Sequence, residues 1–251
     1  MPYKFATEKI DYSDFSSGQF FYSVPNQPAF PVRLGREIFQ RCAAYLTENG
    51  RFPPYNMYDP CVGGGYHLVT TAFLHWHQIN SILGSDIDKD TLEFTEKIFS
   101  LLTLAGVSQR AQQLQALSNK FGKPSHQNNL AIALRFQKQL FENLERNEIE
   151  TAVFQANILS EAFIQNTVLK EQTIDIVFTD VPYGQMSSWQ GGKGEGVSPL
   201  YWVLENLQSF LAPVSIVAIA TDKTHKVQHE HYQRVDQLRL GKRKVLFYCR
   251  K

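Results

Sequence analysis

The sequence predicts an α/β protein built on a parallel sheet with helices on both faces. After residue 50, short apolar runs rich in β-branched residues alternate with longer amphipathic stretches, and strands that alternate with helices form parallel sheets covered on both sides. A glycine-rich turn, Gly63-Gly64-Gly65, stands where the first such strand hands over to the first helix, and an acid, Asp86, closes the second strand.

Taken in order, residues 56–59 form the first predicted strand, followed by the glycine turn and a helix to about residue 77. Residues 81–86 are the second strand. A helix starts near Asp90, which can cap it, with Glu93 completing a capping-box spacing. Residues 151–155 are the third strand and residues 174–178 the fourth, whose length and β-branched content suit a buried strand. A helix over about residues 198–211 leads into a fifth strand over 214–220. Residues 106–150 are polar, with Leu130, Leu134, Phe141 and Leu144 at helical spacing. They predict an inserted helical pair joined near Phe121-Gly122-Lys123-Pro124. Residues 184–196, with Gly191, Gly192 and Gly194, read as a loop. The expected layout is one domain over residues 1–251, with an amino-terminal extension (1–50), the helical insertion (106–150) and a basic carboxyl-terminal strand region (223–251).

Composition bounds the function. Hydrophobic residues make up 43% of the 251 and charged residues 20%, enough to bury a sizeable core. No apolar run approaches the ~18 residues of a membrane span, and no signal-peptide core opens the chain. Cys42, Cys61 and Cys249 make neither a disulfide framework nor a zinc spacing. A reduced, cytoplasmic protein without membrane or metal partners is expected. The net charge of +1 hides an asymmetry, since residues 223–251 carry nine Lys or Arg against two acids. Such an end suits either an anion-binding surface or a solvated terminal strand pair.

The glycine turn offers close backbone approach and free N–H groups at a helix start. A dinucleotide fingerprint needs a third glycine where Leu68 stands, and the G-K-[ST] of a phosphate loop is absent. The acid-x-x-x-Gly-x-Gly run from Asp59 through Gly63 to Gly65 instead resembles the first motif of class I S-adenosylmethionine-dependent methyltransferases, which have a Rossmann-like sheet. The resemblance implies that Asp59 helps orient the cofactor's amino-acid end and that Gly63 and Gly65, with Cys61 beside them, pass beneath it. It also implies that Asp86 takes the ribose hydroxyls. Asp88 is read as a cap of the next helix. Asn157 stands where the family has an acid reading the adenine amine; its side-chain oxygen can accept the same bond, and an ordinary turn asparagine explains it equally.

Asp180-Val181-Pro182-Tyr183, at the end of the fourth strand, resembles the Asn/Asp-Pro-Pro-Tyr motif of enzymes that methylate amino groups of nucleobases. Asp180 and the Val181 carbonyl offer acceptors, Pro182 fixes the turn, and Tyr183 offers a face for a flipped-out base. An ordinary strand end that favours Asp and Pro explains the same residues; the order of Asp59, Gly63, Gly65 and Asp86 upstream favours the methyltransferase reading.

Further stretches narrow the resemblance. Ile10-Asp11-Tyr12-Ser13-Asp14, Pro28-Ala29-Phe30-Pro31-Val32-Arg33-Leu34, Glu37-Ile38-Phe39-Gln40-Arg41 and Lys120-Phe121-Gly122-Lys123-Pro124-Ser125 are similar to the avilamycin-resistance type (AviRa-like) methyltransferases, which modify a guanine in 23S ribosomal RNA. So are residues 179–184 with Trp189, and Thr221-Asp222-Lys223. The likeness implies S-adenosylmethionine as cofactor and large-subunit ribosomal RNA as partner. It further implies a segment at 30–34 that closes over the cofactor, with Arg33 as a carboxylate or phosphate contact or a surface helix residue. Lys123, Lys193, Lys223, Lys226 and Arg243 are candidate RNA contacts, a monomer is the expected working form, and antibiotic resistance is implied by the family name alone.

Alternatives are methylation of an adenine amine or a protein glutamine, or an RNA- or nucleotide-binding module without catalysis. Guanine ring N1 and its exocyclic amine remain open at this stage. The histidine clusters (His75 with His77; His225, His229 and His231) lack the carboxylate or cysteine company of metal sites. Ser187-Ser188 lacks a nucleophile-elbow setting.

Overall fold

The computed structural model describes residues 3–24, 28–181, 189, 197–223 and 227–251. Its elements are α1 (Val32–Glu48), β1 (Tyr55–Asp59), α2 (Tyr66–His75), β2 (Ile79–Asp86), α3 (Lys89–Phe99), α4 (Leu104–Phe121) and α5 (Pro124–Leu144). They continue with β3 (Glu150–Gln155), α6 (Thr167–Lys170), β4 (Ile174–Asp180), α7 (Pro199–Leu207), β5 (Leu211–Asp222), β6 (Tyr232–Leu240) and β7 (Arg243–Arg250). The inserted pair is α4 and α5. Thr103 starts α4 by accepting from Gly106 N–H (3.1 Å), and Pro124 opens α5 at a position whose N–H a helix leaves unused.

The sheet runs β3-β2-β1-β4-β5-β7-β6. The first five strands are parallel, and β7 joins β5 antiparallel with β6 outside it. The sheet is therefore mixed. A turn at Gly241 and Lys242 suffices to reverse β6 into β7, whereas a parallel partner needs a long crossover. Exposed Arg234 and Arg239 line β6, where charge discourages pairing with another chain. Strand order reverses between β1 and β4, and in open α/β sheets the crevice at such a switch point is where ligands bind.

Alternate residues of β4 feed both sides of the sheet. Phe178 belongs to the core cluster that includes Leu34, Phe73 and Phe136 on one face, and Val177 to the one that includes Leu204 and Leu246 on the other. The amino-terminal segment is part of the first layer. Phe20 stacks on Phe136 of α5 (4.7 Å between centroids), and Phe21 meets both Phe136 and Phe73 of α2 edge-on. Ahead of that cluster, Glu37 of α1 is fully buried and accepts the backbone N–H groups of Lys4, Phe5 and Ala6 at 2.6, 2.9 and 2.7 Å. Arg41 Nε completes its shell at 2.7 Å.

The helix after β2 is capped two residues earlier than expected. Asp88, not Asp90, accepts from Asp90 N–H (3.0 Å) and from the Thr91 hydroxyl (2.7 Å), which fits its separate reading as a capping residue. No helix among the described residues is long and apolar enough to cross a membrane.

Candidate active site

The switch point brings together the carboxyl ends of β1 and β4, which carry Asp59 and Asp180. Residues 61–65 turn from Asp59 into α2. Gly65 has φ +70°, and a Cβ there would lie 2.7 Å from the Phe99 ring, so the position accepts only glycine without strain. Gly63 also has positive φ, at +50°. Three bonds fix the turn: Val62 N–H to Ser85 O (2.9 Å), Gly65 N–H to Val62 O (2.8 Å) and Gly63 N–H to Asp86 Oδ2 (3.0 Å). Asp86 Oδ1 accepts from Asp88 N–H (3.1 Å). Burial raises the Asp86 carboxyl above the ordinary range, more than these N–H groups lower it.

Asp59 lies one layer below the turn and is fully buried. Its Oδ1 accepts from Cys61 N–H (2.9 Å), and its Oδ2 lies 3.0 Å from Nε2 of His67 in the first turn of α2. The same Nε2 is 3.3 Å from the Phe178 carbonyl oxygen. Burial works to lower His67, but the Asp59 carboxylate outweighs it and holds the imidazole above its ordinary 6.5. A group whose pKa is raised by folding adds stability below its unfolded pKa and loses it as pH rises through the folded value. His67→Gln is accordingly expected to cost about 1.5–3 kcal/mol, the range for hydrogen bonds to charged groups. The difference from wild type should shrink as pH is raised from about 6 to 9, read by thermal melts at each pH; a gap constant with pH would show that the charge plays no part.

The cleft above the turn is lined by Cys61, Val62, Gly63, Gly64, Gly65 and His67, with Asp180 at one end. Tyr22, Val24, Pro28, Ala29 and Phe30 from the amino-terminal segment also line it. The Cys61 thiol is pushed well up, first by burial and then by the nearby Asp59 and Asp86 carboxylates, so it is a neutral lining group. Asp180 Oδ2 lies 3.7 Å from Nη2 of Arg243 on β7, and the Arg243 guanidinium sits 4.8 Å from the centroid of Phe30.

Of the residues singled out from sequence, Cys61, Gly63, Gly65 and Asp180 line this one cleft, and Asp86 holds its floor. Three others have partners within the protein. Asp59 is held from two sides: Cys61 N–H donates to its Oδ1 and His67 Nε2 lies 3.0 Å from its Oδ2, which braces the turn. Arg33 is directed to the amino-terminal segment: its Nε and Nη2 donate to the Ala6 carbonyl at 3.0 and 2.8 Å, and its guanidinium lies 4.5 Å from the Tyr3 ring centroid. It does not line the cleft. Asn157 Oδ1 accepts from Leu159 N–H (2.9 Å), a local turn bond, and Asn157 is likewise outside the lining. Pro182 and Tyr183, with Lys193 and Lys226, lie outside the described residues. Lys123 and Lys223 are exposed. His67 was missed, although its place in the first turn after the glycines is the signal that would have found it.

The family model "rRNA methyltransferase AviRa" matches residues 1–243. The chain belongs to the AviRa family of rRNA methyltransferases. It is 33% identical over 244 residues, 97% of this chain and 94% of the relative, to the 23S rRNA (guanine(2535)-N(1))-methyltransferase of Streptomyces viridochromogenes. Two solved structures of rRNA methyltransferase AviRa from that organism, at 2.4 and 1.5 Å, superpose with a TM-score of 0.84 each. They are 32% and 31% identical to this chain, over 98% of it and 95% of theirs. As an enzyme of the AviRa family the protein needs a methyl donor, and the cleft between the glycine turn and Asp180 is the candidate place for it.

Proposed function

We propose that this protein transfers a methyl group from S-adenosylmethionine to ring N1 of a guanine in large-subunit ribosomal RNA. One observation carries the reading: the side-chain-free turn at 63–65 and the Asp180 carboxylate open into the same cleft. Identity to a relative named for guanine N1 supports the choice of base and nitrogen.

The residues fit the cofactor. The turn leaves bare main chain facing the cleft, and Asp86 beside it has lone pairs for a vicinal diol such as a ribose. Asp86 is thus the proposed ribose ligand, with Cys61, Gly63 and Gly65 lining the rest. Asn157 retains a second lone pair on its amide oxygen for the adenine amine. When bound, S-adenosylmethionine supplies an electrophilic methyl carbon on sulfur. The protein's part is to orient the base and manage its proton. Guanine N1 carries a hydrogen, so the new N–C bond forms only as that proton leaves, and Asp180 is the acceptor. Pro182 and Tyr183, outside the described residues, keep the roles that the sequence motif implies, a brace and a stacking face for the base. Lys123 and Lys223, exposed on the helical insertion and after β5, are proposed contacts to RNA phosphates.

Calorimetry with S-adenosylmethionine tests the donor first; absence of binding sinks the proposal. Tritiated methyl should then enter ribosomal RNA and not DNA. Mass spectrometry of the modified fragment should find methyl on N1; methyl on the exocyclic amine would overturn the choice of nitrogen while keeping the base.

A further inference from the structure

We infer that Arg243, carried by the antiparallel strand β7, is a positioning residue that keeps Asp180 charged and aimed into the cleft while pinning Phe30 beside it. This rests on the proposed role of Asp180 as proton acceptor. The sequence offers Arg243 as one more cation in a basic tail, suited to RNA phosphates. The structure gives it a different task.

Ala220 of β5 is paired with Asp180 on one side and with Val245 of β7 on the other, and Asp222 is paired with Arg243. Arg243 therefore stands two strands away from β4. Adjacent strands are about 4.8 Å apart, so only a long side chain crosses β5 to reach the end of β4. The guanidinium makes that crossing and arrives with Nη2 3.7 Å from Asp180 Oδ2. At this separation it acts on that oxygen as a charge more than as a hydrogen-bond donor, which favours the ionised carboxylate.

The same group lies 4.8 Å from the Phe30 centroid. Phe30 in turn meets Phe178 of β4 at 5.5 Å and His67 of α2 at 5.7 Å. One side chain thus ties the amino-terminal wall of the cleft to the strand end that bears the carboxylate. Among the described residues, His67 from α2 and the Cys61 thiol from the glycine turn are titratable groups that feel the Asp180 charge. His67 is engaged with Asp59 behind it, and the thiol is neutral. Arg243 is the cation that approaches from the β7 side. Lysine at this position would supply a point charge without the planar face that lies on Phe30.

The test compares wild type, Arg243→Lys and Arg243→Ala in single-turnover methylation of ribosomal RNA between about pH 5 and 9 at saturating S-adenosylmethionine. Arg243→Ala should lower the rate at least about tenfold and move its acidic limb up by about one pH unit, the smaller end of the effect of a nearby opposite charge. The KM for RNA should stay within about threefold, since phosphate contacts set affinity and this cation makes none in the proposal. Arg243→Lys should restore the position of the limb and only part of the rate. A raised KM for RNA with rate and limb unchanged would overturn the inference and leave Arg243 as a phosphate contact. Carbon-13 NMR titration of the Asp180 carboxyl, assigned by comparison with Asp180→Asn, reads the coupling without any turnover. An identical Asp180 titration in wild type and Arg243→Ala overturns it whatever the activity. A wild type that transfers no methyl while the titration does shift would reject the proposed function and keep the pairing.

Discussion

Asp180→Ala is expected to slow methyl transfer to ribosomal RNA by roughly 10²–10⁴-fold, the range that positioned proton transfer contributes. Affinity for S-adenosylmethionine should stay within a few fold, because the groups proposed to hold the donor, Asp86 and the turn at 61–65, are on other strands and keep their own bonds. The carboxylate is well placed for the role. It caps the central strand β4, whose register with β5 runs through Asp180 itself, paired with Ala220. Val181 N–H donates to the Ala220 carbonyl at 3.2 Å, which holds the chain just past the carboxylate. Asp180→Asn is the sharper variant, since it keeps the volume and an acceptor oxygen but cannot take up the guanine proton. If the asparagine enzyme retains most of the rate, Asp180 orients the base only, and the exocyclic amine, which the Asp-x-Pro-Tyr stretch also suits, becomes the better target. Single-turnover assays of both variants, with donor affinity measured by calorimetry, decide between these outcomes.

Features that a strand end or a turn imposes on its own residues were legible in the sequence. The glycine turn, Asp86 and Asp180 each sit within a few residues of a predicted strand, and their placement follows from parallel strands that share one carboxyl edge. The inserted helical pair was equally plain, because Leu and Phe at helical spacing and the Gly-Lys-Pro joint are local signals. What the sequence could not supply were partners distant along the chain. Asp59, Arg33 and Asn157 have the chemistry of ligand contacts, yet each is engaged by the protein: Asp59 by His67, Arg33 by the Ala6 carbonyl and Asn157 by Leu159 N–H. Nothing in the local pattern around Arg33 reports that residues 4–6 fold back onto α1. Nor does the basic composition of residues 223–251 reveal that β7 enters the sheet antiparallel and delivers Arg243 to Asp180. The fifth strand was also read short at its ends, since Leu211 before its apolar run and Thr221-Asp222 after it join the strand by pairing with Ile174, Lys244 and Arg243 rather than through propensity.

The fold's own dependence on such a distant contact makes Glu37 the position where a single change should destabilise most. Its carboxylate is fully buried, receives three backbone N–H groups from residues 4–6 and pairs with Arg41, itself 2.6 Å from Asp236 on β6. Glu37→Ala leaves those donors and a buried guanidinium short of an acceptor, and breaking a buried pair in this way costs about 3–5 kcal/mol. Burial alone would raise the Glu37 carboxyl, but the Ala6, Lys4 and Phe5 N–H groups and Arg41 together hold it below the ordinary 4.5. With the folded pKa depressed, the unfolded chain binds the proton more readily. The stabilisation is therefore present in full above the unfolded pKa and is lost as pH falls through the folded one. Urea denaturation should show wild type losing stability between about pH 5 and 3, with Glu37→Gln, which cannot titrate, losing less over the same interval. Equal losses would mean that other carboxylates set the acid response. Because the segment held by Glu37 leads into the wall formed by Tyr22, Val24 and Phe30, the same variant should also weaken S-adenosylmethionine binding at neutral pH, where the protein is still folded. A stability loss without any change in donor affinity would show that the wall of the cleft is set by the aromatic cluster of Phe20, Phe21 and Phe136 and not by the buried carboxylate upstream of it.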